Sequence, residues 1–119
     1  MLVLLLVILN EAGPTAACSS SCSSRCDCSR MGLSSVPQYL PTTITYLELQ
    51  YNSITSLSQS DFSRYRSLTR LYLSSNQISV INSRAFHNLT GLTQLDLSHN
   101  QLATLRADMF VGLDNLERL

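Results

Sequence analysis

The chain contains no lysine. Its eight basic residues are all arginines, they are balanced by eight carboxylates, and they form no run. That combination lacks the basic patch or stripe that marks a nucleic-acid binder, so no nucleic-acid partner is expected. Long apolar runs are missing too. The longest, Leu2 to Leu9, is far short of the ~20 residues that a spanning helix needs, so membrane attachment would require a segment this chain does not carry. No Gly-x-Ser-x-Gly nucleophile context, glycine-rich phosphate loop or metal-ligand spacing occurs outside one cysteine cluster. The two histidines, His87 and His99, stand about half a repeat apart, and neither is paired with a recurrent acid or nucleophile. We therefore expect no catalytic residue, no cofactor, no bound metal and no small-molecule substrate.

Present instead is a short apolar leader, "MLVLLLVILNEAGPTAAC", with a Gly13-Pro14 break and small residues before Cys18. It suits a signal peptide cleaved after Ala17, although its start carries no Lys or Arg. Directly after it come all four cysteines, Cys18, Cys22, Cys26 and Cys28. In a secreted chain such a cluster forms two disulfides. Of the three possible pairings, the one containing Cys26–Cys28 is disfavoured, because a single intervening residue in extended chain gives awkward bridge geometry. A four-cysteine zinc site is the alternative use.

The rest of the 119-residue chain, 45% of it apolar overall, repeats itself. "ITYLELQYNSI", "LTRLYLSSNQI" and "LTQLDLSHNQL" start at Ile44, Leu68 and Leu92, and "LERL" starts a fourth copy at Leu116. Leu47/Leu71/Leu95, Leu49/Leu73/Leu97 and Phe62/Phe86/Phe110 fall in one 24-residue register. The L-x-L alternation has the period of a strand. The remainder of each repeat is irregularly spaced and reads as a turn, a loop and a helical turn around the phenylalanine. One coil cannot bury enough surface to offset its own ordering, so the coils must stack and fold together.

One polar position deep in this register is always asparagine: Asn52, Asn76 and Asn100. A chain leaving a strand turns inward backbone N–H and C=O groups that lack a ladder partner, and an unpaired buried group costs ~1–3 kcal/mol. A side-chain amide supplies both acceptor and donors. These three residues are therefore expected to close the corners of successive coils.

The pattern LxxLxLxxNxIxxL with its later phenylalanine resembles the extracellular, typical class of leucine-rich repeats, found in variable lymphocyte receptors, Slit, Nogo receptor and Toll-like receptor ectodomains and small matrix proteoglycans. The resemblance implies an α/β-type repeat solenoid: a right-handed leucine-rich repeat horseshoe with a parallel concave β-sheet, mostly strand and loop, and a disulfide-bonded N-terminal cap. It implies a stack of Phe62, Phe86 and Phe110 towards the convex side. "CSSSCSSRCDCSRMGLSSVPQYLP" resembles the family's cysteine-rich cap, with Gly32, Pro37 and Pro41 making an irregular lid. The family's pairing would give Cys18–Cys26 and Cys22–Cys28, although the spacing here departs from the family's. The expected organisation is a leader at 1–17, a cap at 18–43, repeats at 44–67, 68–91 and 92–115, and the start of a fourth at 116–119.

No second cysteine cluster occurs after the repeats, which reads as the N-terminal fragment of a longer protein. Such an end would leave Leu92, Leu95, Leu97, Leu102 and Leu105 open to water and favour self-association.

Residues alternating with the inward leucines form outward columns. The first is Tyr46, Arg70, Gln94 and Arg118, the second Glu48, Tyr72 and Asp96, and the third Gln50, Ser74 and Ser98. Arg70 lies among acids and tyrosines, and Tyr and Arg are enriched at binding hot spots. These columns are the candidate ligand face, and the resemblance implies an extracellular protein or glycan partner. The expected role is non-enzymatic recognition at the cell surface or in secretion, with assembly of extracellular matrix as the alternative. Asn88-Leu89-Thr90 is a glycosylation sequon whose repeat equivalents of Asn88, Arg64 and Gly112, show that the position tolerates charge.

Overall fold

The computed structural model describes Cys18 and residues 21–119; the expected leader at 1–17 lies outside them. Among the described residues, six short strands carry the architecture. They are β1 (Arg25–Asp27), β2 (Tyr46–Glu48), β3 (Ser56–Leu57), β4 (Arg70–Tyr72), β5 (Val80–Ile81) and β6 (Gln94–Asp96). All pair in parallel. β1, β2, β4 and β6 form one sheet in that order, and β3 and β5 form a second. Parallel neighbours need a crossover between them, and from β2 onward each crossover is the remainder of a 24-residue coil. Leu47 pairs with Leu71 and Leu71 with Leu95, so the sequence period is the sheet register. A single bridge from Gln94 to Arg118 continues it.

Between the two sheets lies a continuous core. Leu47, Leu49, Leu71 and Leu73 face it from the main sheet, Leu57 and Ile81 from the second, and Phe62 and Phe86 from the return path. Phe86 stacks between Phe62 and Phe110, with centroids 5.9 and 6.5 Å away. The return path is more regular than its spacing suggests. It carries β3 and β5, and 3-10 turns cover Gln59–Asp61 and Ala107–Phe110.

The corners are closed by amides. Asn76 Oδ1 accepts the Ile54 N–H at 3.1 Å, while Nδ2 donates to the carbonyls of Leu49, Leu73 and Ser74. Asn52 accepts the N–H groups of Met31 and Leu33 and donates to Cys28, Leu49 and Gln50. Asn100 accepts from Ile78 and donates to Leu73, Leu97 and Ser98. Each amide thus ties its own corner to the preceding coil. The residue before each asparagine, Tyr51, Ser75 and His99, takes φ of +60, +54 and +55°, as does Arg30 at +56° in the cap. This left-handed step is what swings the chain out of the strand.

The cap is an incomplete coil. Cys26 and Cys28 point into the core at the places of Leu47 and Leu49, and both are fully buried. The disulfides are Cys18–Cys28 and Cys22–Cys26. This corrects the pairing implied by the resemblance, Cys18–Cys26 and Cys22–Cys28. The reason is reach: the pairs are nested, Cys22 with the nearer Cys26 and Cys18 with the farther Cys28, at Cα separations of 5.4 and 4.7 Å, both within the span of a bridge. Tyr65 fastens the cap to the first repeat by donating its hydroxyl to the Pro37 carbonyl and accepting the Leu40 N–H. Its burial pushes the phenol above its ordinary range.

The expected opening of the last coil also needs correction. Leu92 and Leu95 are buried, because Leu116 packs on the core and the Leu95 N–H donates to the Arg118 carbonyl at 3.0 Å. Leu97 and Leu102 are half-buried, and Leu105 is 69% exposed.

Candidate functional site

The outward side of the main sheet collects the expected residues. In register, Tyr46, Arg70, Gln94 and Arg118 make one row, and Glu48, Tyr72 and Asp96 the next. Gln50, Ser74 and Ser98 come where the strands end. Gln50 and Ser74 are half-buried and Ser98 is exposed. The Gln50 Oε1 is buried without a hydrogen-bond partner.

The cap adds to this face a strand that the repeat period does not reveal. Arg25 stands opposite Tyr46 and Asp27 opposite Glu48. A signal was available, since "RCDC" alternates outward and inward as L-x-L does, with cysteine in place of leucine. The offset from the cap to the first repeat is 21 residues rather than 24, which hides it from a period search.

Geometry at the centre is specific. The Tyr46 ring lies between two guanidinium groups, Arg25 from one neighbouring strand at 4.6 Å and Arg70 from the other at 5.4 Å from its centroid. Such cation–π contacts contribute about 0.5–1 kcal/mol each at exposed sites. Tyr46 donates its hydroxyl to the Tyr72 hydroxyl at 3.3 Å, and Tyr72 donates to Gln94 Oε1 at 3.0 Å. The rings of Tyr46 and Tyr72 are 5.4 Å apart. The Tyr72 hydroxyl first, and Arg70 second, stabilise the Tyr46 phenolate and draw that phenol below its ordinary range. Tyr72 moves the opposite way, because its bond with Tyr46 favours the neutral form and burial adds to it.

Glu48 pairs with Arg25 Nε at 3.0 Å, not with Arg70. Asp27 and Asp96 share a device: each carboxylate accepts both the N–H and the hydroxyl of the serine two residues on, Ser29 and Ser98. For Asp27 the Ser29 hydroxyl bond is the main reason its carboxyl lies below the usual range.

Elsewhere, Asn88 is half-buried on the return path after Phe86, and Thr90 is exposed. His87 Nδ1 lies 3.3 Å from the Arg84 carbonyl, and His99 occupies a corner. Among the described residues, no three His, Cys, Asp or Glu side chains cluster closely enough to hold a metal.

A family model described as "Leucine rich repeat" matches residues 41–78 and 66–119. The chain belongs to the leucine-rich repeat family. Among curated relatives, human Toll-like receptor 3 is 46% identical over 43 residues, which is 36% of this chain and 5% of that protein. Toll-like receptor 3 of Bos taurus is 44% identical over the same length and shares. Among solved structures, one titled "Crystal structure of TLR13-ssRNA13 complex" superposes with a TM-score of 0.75 at 26% identity, over 83% of this chain and 15% of that one. This leucine-rich repeat chain is thus related to Toll-like receptors but spans only a small part of their length.

Proposed function

We propose that this chain is a non-enzymatic recognition module of a secreted or cell-surface leucine-rich repeat protein, and that its main sheet binds an extracellular protein or glycan. One observation carries the reading. Three adjacent strands present Tyr46, Tyr72, Arg70 and Gln94 side by side, pre-positioned by one another rather than by a partner. Aromatic and arginine side chains held in place lose little freedom on binding, the property that makes hot spots. Two disulfides in the cap support an oxidising, extracellular setting.

The expectation that nucleic acid is no partner loses its support as a matter of fold, since one structural relative is titled as a complex with single-stranded RNA. The choice between ligand classes falls to the charge of this particular face. The Asn88 sequon belongs to the same reading: a glycan there would stand on the return path and leave the sheet free.

The full chain, probed against arrays of extracellular proteins and of glycans, should give ligands whose affinity falls at least tenfold with Tyr72→Ala and with Arg70→Ala. Ligands that ignore both substitutions but are lost with Arg84→Ala, on the return path, would overturn the assignment of the sheet.

A further inference from the structure

The charges on the sheet are sorted. Arg25, Arg70 and Arg118 all stand in the first row, on the first, third and fifth chain segments of the sheet. Asp27, Glu48 and Asp96 all stand in the second row. The neutral members Tyr46, Tyr72 and Gln94 run in a hydrogen-bonded zigzag from one row to the other. Rows two residues apart along a strand are separated by about 6.6 Å, and alternate strands by about 9.6 Å. No net charge results, and Arg25 and Glu48 pair across the rows at one end, yet the face has a basic edge over five chain segments and an acidic edge over the first four.

Resting on the reading that the sheet is the binding face, we propose that its partner is a protein whose docking surface carries one acidic and one basic row crossed by an apolar or aromatic strip, and is not a polyanion. The acidic row of the partner sets against Arg25, Arg70 and Arg118, the basic row against Asp27, Glu48 and Asp96, and the strip against Tyr46 and Tyr72. A polyanion fares worse for a simple reason. Its charges are spaced by a few ångströms, so one laid along the arginines also lies beside three carboxylates, within the screening length of about 8 Å at physiological salt. Attraction to one row is then cancelled by repulsion from the other. Interspersed charges would average out and carry no such preference. Sorted charges make register and orientation selective, since a partner docked the wrong way round meets like charge along both rows.

Sign inversion tests this directly. A phage-displayed library on a helical scaffold, randomised on one face, is selected against the full chain at physiological salt. Heparin oligosaccharide and a single-stranded RNA oligonucleotide are titrated alongside. Selected binders should carry both acidic and basic side chains, and Arg70→Glu and Asp96→Arg should each weaken them at least tenfold. Heparin and RNA should show no saturable binding. Circular dichroism of both variants confirms the fold, and the inversions are exposed or half-exposed. Tight binding of heparin or RNA that weakens with Arg70→Glu and strengthens with Asp96→Arg would overturn the proposal while leaving the sheet as the binding face. Selected binders indifferent to both inversions would overturn both.

Discussion

At the scale of single residues, the asparagines and the carboxylates do distinct work. Asn76 is 7% exposed and its amide engages four backbone groups from two coils. Replacing it with alanine strands a buried N–H and carbonyls, so Asn76→Ala should cost about 2–3 kcal/mol in urea unfolding, and Asn100→Ala, half-exposed, about 1 kcal/mol. Equal losses at the two sites would contradict the role. Asp27 makes a pH-dependent contribution. Its folded carboxyl is depressed below the ordinary value of 3.8 by the Ser29 hydroxyl. A depressed acid stabilises the fold above its unfolded pKa, and that stability disappears as pH falls through the folded pKa. The difference in melting temperature between wild type and Ser29→Ala should thus be full near neutral pH and close below pH ~4, moving towards zero as Asp27 is protonated. A difference that grows on acidification would contradict it. At this scale the asparagines and the outward columns were legible, because a 24-residue period fixes which side of a strand each residue takes. Arg25 and Asp27 were not, since the cap keeps the alternation but changes both the period and the inward residue.

Elements show a different limit. The main-sheet strands β2, β4 and β6 announce themselves through two inward leucines each, whereas β3 and β5 have one inward residue apiece, Leu57 and Ile81, and no alternation to recognise. They exist because stacking brings equivalent backbone into pairing distance, which is a property of the assembled coils. The disulfide pairing was illegible for a related reason: it depends on which cysteines the folded cap brings within bridging reach, and spacing alone leaves two pairings open. The phenylalanine column could be read, and its value can be measured. Phe86 is fully buried between Phe62 and Phe110. Phe86→Ala should cost about 3–5 kcal/mol, whereas Phe110→Ala, half-buried at the end of the stack, should cost less. Thermal or urea unfolding of the two variants in parallel checks the order. A larger loss at Phe110 would place the stable part of the stack at the wrong end.

For the whole molecule, stability should pass from coil to coil through shared backbone bonds. The Leu49 N–H donates to Tyr72, Leu73 to Asp96 and Leu95 to Arg118, each across one coil boundary. The boundaries differ in their pairing: Leu49 and Leu73 are fully buried where whole strands pair, whereas beside Leu95 the pairing is a single bridge, Gln94 to Arg118. The proposed recognition face follows the same gradient, since Tyr46 and Tyr72 sit on the fully paired strands and Arg118 at a single bridge. Residue-resolved hydrogen exchange on wild type and Asn76→Ala tests the coupling most directly. The Leu49 and Leu73 amides should exchange slowest and Leu95 fastest of the three, and Asn76→Ala should accelerate Leu49 and Leu73 together. Acceleration confined to residues 74–78, with Leu49 unchanged, would show that the amide serves only its own turn and that the coils are not bound to one another through it.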